Sequence, residues 1–296
     1  MKLQFSGHDS FICKHFWLKK GYDFLQNGQL GFNDEQAVVE LGIGRNMVTA
    51  LSYWLKSYAV VDNINRATAF GHYLFHAQTG RDPYLESLGS IWLLHYSLIR
   101  TAKASIYTLF FNEFRKEKLA FTKEHLSAFI YRQLNAYGQG SISSNTVQSD
   151  IAVFIRNYLS REGDARKIDL EDEFTNLFVD LQLMESYQAE NAQGKMVEWY
   201  SVYGSERRDL PAEVLLFSIL DNDEYGNSIS FQELLTGANS PGLVFALNDE
   251  GLFGQIEQLQ IKYPDTIIYK ETAGIRELQF RTKPNKWRIL DDYYQA

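Results

Sequence analysis

The sequence predicts a mainly α protein with small β-hairpins, built as tandem winged-helix-like modules around a helical core. Three observations carry this expectation. Residues Asp34–Tyr58 read as helix, tight turn, helix. The same design recurs over Phe121–Leu159. Short alternating strands with glycine turns follow helical stretches, at Asn191–Gly194 and at Thr272–Gly274.

Taken in order, residues 3–15 look extended, with Ser6-Gly7-His8-Asp9-Ser10 set between Phe5 and Phe11. His8 and Asp9 could act as general base and metal ligand; equally, Asp9 or Ser10 could cap the helix that follows. That helix is Phe16–Gln26, with Lys19 and Lys20 outward. In Asp34–Tyr58, Gly42 and Gly44 bracket the turn, and Met47, Val48, Leu51, Trp54, Leu55 and Tyr58 recur at helical spacing. The opposite face shows Arg45, Asn46, Thr49, Ser52 and Lys56. This is the layout of a helix-turn-helix that places its second helix in a DNA groove. A helical hairpin with a polar face that never meets DNA gives the same pattern. Residues 59–75 then read as a strand, a polar turn at Asp62–Asn65 and a second strand or helix, a wing with Arg66 able to reach a phosphate.

Leu85–Arg100 is an apolar core helix, with His95 as a hydrogen-bonded core histidine, and Ala104–Phe114 is a second buried helix. The repeat of the opening design follows, its second helix starting at Ser143, Ser144, Asn145 and Thr146. Free N–H groups at such a start suit a phosphate. The charged stretch 161–173 is the expected main boundary. The expected domains are thus 1–80, a winged helix-turn-helix; 81–160, a helical core with the second helix-turn-helix; and 161–296, an acidic α+β winged-helix-like domain.

Charge supports that division. The chain carries a net charge of -8, but residues 1–160 hold 16 Lys/Arg and 12 Asp/Glu, whereas residues 161–296 hold 13 and 25. The half with both helix-turn-helix patterns is the one DNA attracts. The acidic half suits a protein partner or solubility. A single cysteine, Cys13, excludes an internal disulfide and a multi-cysteine zinc site. Neither a signal-peptide core nor a run of roughly 20 apolar residues is found, so a cytoplasmic location is expected. The stretch Asp221–Glu233 imitates a calcium loop, but Tyr225 stands at a ligand place and Glu233 falls one residue late. Gly42-Ile43-Gly44 lacks the third glycine of a dinucleotide loop.

Several segments in order, FSGHDSF with WLKKGYD, VELGIGRNMV, DPYLES, FNEF, NTVQSDIAVFIRNY, SPGLVFAL and TAGIREL, resemble the SspB family of single-strand DNA phosphorothioation defence systems. The resemblance spans nearly the whole chain. It implies a DNA nickase assisted by Mg²⁺, acting on double-stranded DNA beside a cysteine desulfurase, an ATPase and a sulfurtransferase. In the first motif Asp9 replaces the family's usual glutamate, keeping the charge with a shorter reach. The implied metal ligands are Asp9, then Glu40 and Asp82, with His8 as base. The DNA contacts would be Lys19, Lys20, Arg45, Asn46, Thr49, Ser52, Lys56, Arg66, Asn145 and Thr146. A non-enzymatic adaptor that holds DNA and recruits the modification proteins is the alternative.

Overall fold

The structure is a computed structural model that describes residues 2–28, 30–159, 176–191 and 194–295. The chain forms two compact units, Met1–Val202 and Tyr203–Ala296. The charged stretch 161–173 lies outside the described residues.

The first unit opens with α1 (Trp17–Gln26), α2 (Ala37–Leu41) and α3 (Arg45–Ser57). Gly42 closes α2 in the left-handed region, φ 62°, where other residues pay a steric cost. Val48, Leu51, Trp54 and Leu55 of α3 are buried, as their spacing predicts. The expected wing is reduced to a single bridge between Val61 and Ala67. Asp62 accepts from the Ile64 and Arg66 N–H groups, both at 2.9 Å. This side-chain turn replaces a ladder, and the chain passes directly into α4 (Ala69–Phe75), capped by Thr68.

At the centre of the unit is α5 (Leu88–Thr101), buried on all sides from Gly89 to Ile99. Ser97 and Thr101 donate to the Tyr58 and Ser57 carbonyls at 2.7 Å. Those carbonyls end α3 without intrahelical partners, so α5 completes them. The predicted second buried helix is split. Ser105–Leu109 (α6) is regular, and Phe110–Phe114 widens into a π-helical turn before α7 (Arg115–Glu117). The wider turn lets consecutive phenylalanines face inward. Phe110 meets Phe154 at 4.7 Å and Phe111 meets His95 at 4.8 Å. Burial in this aromatic core pushes the Tyr58, Tyr107 and Tyr158 hydroxyls well above their usual pKa.

The second helical pair is α8 (Lys123–Ala136) and α9 (Ser144–Tyr158). Just before α8, Ala120–Phe121 forms β1, which was not expected from the sequence. It pairs with β3 (Met196–Ser201), which pairs in turn with β2 (Glu185–Glu190). The hairpin assigned by sequence to the acidic domain therefore joins the first unit, because β1 supplies ladder partners on one of its edges. The compact units divide at Val202, beyond the charged stretch, and α3 packs on α5 across the expected 80/81 boundary.

In the second unit, α10 (Ala212–Leu220) is apolar and buried. The sheet order is β4 (Ser228–Ser230), β6 (Ile275–Phe280), β5 (Ile267–Thr272), all antiparallel. The connecting helices are α11 (Phe231–Thr236), α12 (Pro241–Val244) and α13 (Asp249–Lys262), and α14 (Lys286–Tyr294) packs on α10. Arg276 stacks on Phe231 at 3.9 Å and pairs with Asp249 at 3.0 Å. The mainly α character with small antiparallel sheets is as predicted. In each unit a lone strand is followed by helices and then a hairpin, and the lone strand pairs with the hairpin's second strand. No helix among the described residues is long and apolar enough to cross a membrane.

Asp82 illustrates how the core is held. It is buried, and its carboxylate accepts from the Glu86 and Ser87 N–H groups at 2.9 Å and from Ser90 Oγ at 2.5 Å. It thus satisfies donors at the start of α5. Asp82→Ala is expected to cost about 2 kcal/mol by orphaning the buried Ser90 hydroxyl and two part-buried N–H groups, read as a lower urea midpoint with or without EDTA. An unchanged midpoint would contradict this role.

Candidate functional site

The polar loop Ser6–Ser10 is the most constrained segment near the N-terminus. Ser6, Asp9 and Ser10 all have positive φ, at 67°, 47° and 67°. Such angles cost energy in non-glycine residues, so the surroundings must hold them. Gly7 lies against the Tyr53 ring, where an added Cβ would fall 2.2 Å from ring carbons. His8 is 1% exposed and stacks on Trp54 at 5.6 Å with rings 12° apart. The Trp54 indole donates to the Phe11 carbonyl at 3.0 Å, closing the far side of the loop.

The anchor beneath the loop is Asp150 of α9, also 1% exposed. Its Oδ1 accepts from the Ser6 N–H at 2.8 Å and lies 3.3 Å from His8 Nε2. The second contact is polar but not aligned as a hydrogen bond. Burial and the negative charge of Asp150 hold the Tyr53 hydroxyl far above its usual pKa. Further along α9, Arg156 donates to the Ser10 carbonyl at 2.8 Å, and Ser149 Oγ meets Ser10 Oγ at 3.1 Å. The loop is therefore fixed at both ends by one helix, and Asp9 is left exposed at its turn.

Beside Ser10 a cleft of about 900 Å³ opens between α9 and the β2–β3 hairpin. Ser149, Ala152, Arg156 and Leu159 form its helical wall at intervals of three and four residues. Ser186, Gln188, Glu198 and Tyr200 line the opposite side. They are cross-strand pairs, Ser186 with Tyr200 and Gln188 with Glu198, and so share one face of the sheet. Lys123 lies 5.8 Å over the Tyr200 ring. The Tyr200 hydroxyl donates to Glu198 at 2.5 Å, and burial together with this carboxylate raises its pKa.

Several predicted site residues also hold the fold. His8 is buried and presents no nitrogen to solvent. Asp82 is consumed in capping α5. Glu40 is exposed on α2. Among the described residues, no three His, Cys, Asp or Glu side chains converge as a metal site. Lys19 pairs with Asp23 at 2.6 Å, and Lys20 donates to the Leu41 carbonyl at 3.1 Å, closing α2. Arg45 donates to the Phe32, Asn33 and Asp34 carbonyls at 3.1–3.4 Å, securing the loop before α2.

On the rest of the predicted DNA face, Thr49 donates to the Arg45 carbonyl, while Asn46 and Arg66 are exposed. Ser52 and Lys56 are half-buried. Burial and the nearby Lys103 push the Lys56 pKa down, against an upward pull from Asp62. At the start of α9, Thr146 bonds the capping Ser143 and Asn145 is exposed. Asp150, Arg156, Lys123 and Gln188 were missed. Asp150 carried a legible signal: a carboxylate among apolar residues at helical spacing, between Val147 and Ile151.

Gly7→Ala is expected to destabilise the first unit by about 2 kcal/mol through overpacking. Combined with Tyr53→Ala, which opens the space, its cost should fall well below the sum of the single changes. Strict additivity in thermal melts would show that the loop does not rest on that ring.

With this geometry in place, comparison with known proteins is informative. A search of curated proteins finds no match. Two crystal structures, one described as SspB and the other as magnesium ion-bound SspB, share the fold with a TM-score of 0.81. Each alignment covers 99% of this chain and 88% of the other, at 27% and 26% identity respectively. The chain is therefore SspB-like over nearly its whole length. A family model described as "Protein of unknown function (DUF4007)" matches residues 5–294, and the chain belongs to that family.

Proposed function

We propose that this protein binds double-stranded DNA and nicks one strand, with Mg²⁺, in a bacterial phosphorothioate modification and defence system. The observation that carries the reading is the SspB-like fold over 99% of the chain. The strained loop at the surface supports it, because strain that neighbours over-determine is typical of sites that position a reacting group. The proposed partners are the cysteine desulfurase, ATPase and sulfurtransferase that accompany SspB, and the proposed location is the cytoplasm.

Asp82 does not fit Mg²⁺, since its oxygens already serve the Ser90 hydroxyl and two N–H groups. Asp9 and Glu40 are exposed. Mg²⁺ keeps several waters and often takes only one or two protein carboxylates plus substrate phosphate, so Asp9 can hold the ion with DNA as co-ligand. The chemistry the ion supplies when bound is polarisation of a phosphoryl oxygen and a lower pKa for an attacking water.

The chain's own residues do the positioning. Asp150 and Arg156 fix the loop, and Gly7 lets it lie on Tyr53. The exposed Asn46, Thr49, Arg66 and Asn145 are available to hold DNA, with Ser52, Lys56 and Thr146 at the edge of that face. Lys19, Lys20 and Arg45 add positive charge while bracing the helices. The alternative, an adaptor that holds DNA and recruits the modification proteins, is favoured by one observation: the described carboxylates and histidines do not converge.

The deciding experiment is conversion of supercoiled plasmid to open circle by purified protein, with Mg²⁺ and with EDTA. Under the nickase reading, metal-dependent nicking falls at least about a hundredfold in Asp9→Ala, as removal of one charge-stabilising group does, while DNA binding survives. Salt-sensitive DNA binding without nicking would establish the adaptor instead.

A further inference from the structure

We infer that the cleft between α9 and the β2–β3 hairpin is a binding track for the sugar-phosphate backbone of a single DNA strand, next to the loop that carries Asp9. Its biological sense rests on the nicking reading, but the binding itself is separately measurable.

The first argument is charge. The lining holds two cations, Lys123 and Arg156, against one carboxylate, Glu198. Glu198 accepts the Tyr200 hydroxyl, which uses part of its acceptor capacity. Lys123 has no carboxylate within ion-pair distance among the described residues; its near neighbour is the Tyr200 ring. A cation left over an aromatic face in a polar cleft suits an anionic ligand. Arg156 is anchored by the Ser10 and Ala152 carbonyls, so its charge is fixed at the rim.

The second argument is size and surface. A cleft of about 900 Å³ has the scale of sites for small molecules. It takes a few nucleotides of one strand, not a duplex. Ser149, Ser186 and Gln188 provide uncharged donors and acceptors that suit sugar and base edges without demanding one sequence. Polar floors with flanking cations are how single strands are tracked without strict sequence preference.

The third argument is place. Ser10 lines the cleft and is the residue after Asp9. Its carbonyl and hydroxyl are both held by α9. A strand lying along that wall passes the loop that presents Asp9. The cleft thus offers a seat for the strand once it leaves its partner.

The test uses the full chain in EDTA, with dye-labelled oligothymidine and, separately, a blunt duplex, read by fluorescence anisotropy. Lys123→Gln and Gln188→Glu are the variants. Gln188 lies exposed on an outer strand, so its change leaves the core intact. A thermal melt checks folding. Each variant is expected to bind oligothymidine about tenfold more weakly, as loss or repulsion of one phosphate contact implies. Lys123→Gln should also reduce the slope of log affinity against log salt by about 0.7. Lys270→Gln, on β5 of the second unit, should bind like the parent.

The inference is overturned if both variants bind oligothymidine like the parent, if the parent does not bind it, or if only duplex binding suffers. Plasmid nicking on the same samples separates the two readings. Weakened strand binding in a protein that never nicks keeps the cleft and removes the nickase. Nicking and strand binding both unaffected by the variants keep the nickase and remove the cleft.

Discussion

The buried carboxylate of Asp150 is the contact on which the first unit's surface chemistry depends. A carboxylate at 1% exposure is costly unless its oxygens are answered. Here the Ser6 N–H answers one oxygen and the His8 ring lies 3.3 Å from it, both from the N-terminal loop. Removing that loop would leave a carboxylate without its partner in an aromatic core, and removing Asp150 would release the positive-φ Ser6. Each side makes the other affordable. The loop's unusual backbone is therefore a consequence of α9 being buried where it is. Arg156, farther along the same helix, extends the grip to Ser10 and sets the rim of the neighbouring cleft.

A second theme is competition for polar side chains. Residues that a sequence offers to DNA or metal are often claimed first by unsatisfied backbone groups. Asp82 goes to the start of α5, Lys20 to the end of α2 and Arg45 to the loop before it. Each answers a carbonyl or N–H that the local backbone leaves without a partner. The groups that gather around one cleft come from four separate stretches, residues 10, 123, 149–159 and 186–200.

The helices were legible because they are set by local spacing. Val48, Leu51, Trp54 and Leu55 recur at the helical period, and Ser143 and Asn248 sit at helix starts where they accept from the backbone. The hairpins were legible from alternation and turn residues, and the resemblance to SspB from motifs that run in order along the chain. Harder to read were β1 and β4. Strands of two and three residues have no period of their own and exist because β3 and β6 offer open edges.

The sequence by itself determined which segments are helical, which half is basic, and which family the chain resembles, since each of these follows from neighbours along the chain or from composition. Tertiary structure alone decided the partners. Ser6 and Asp150 meet across 144 positions, and no local rule pairs them. The hairpin's membership in the first unit was decided the same way, by a ladder between Ala120–Phe121 and Tyr200–Ser201. The physical reason is common to both. Burial makes unpaired polar groups expensive, and which groups become buried together is a property of the packed chain rather than of any stretch within it.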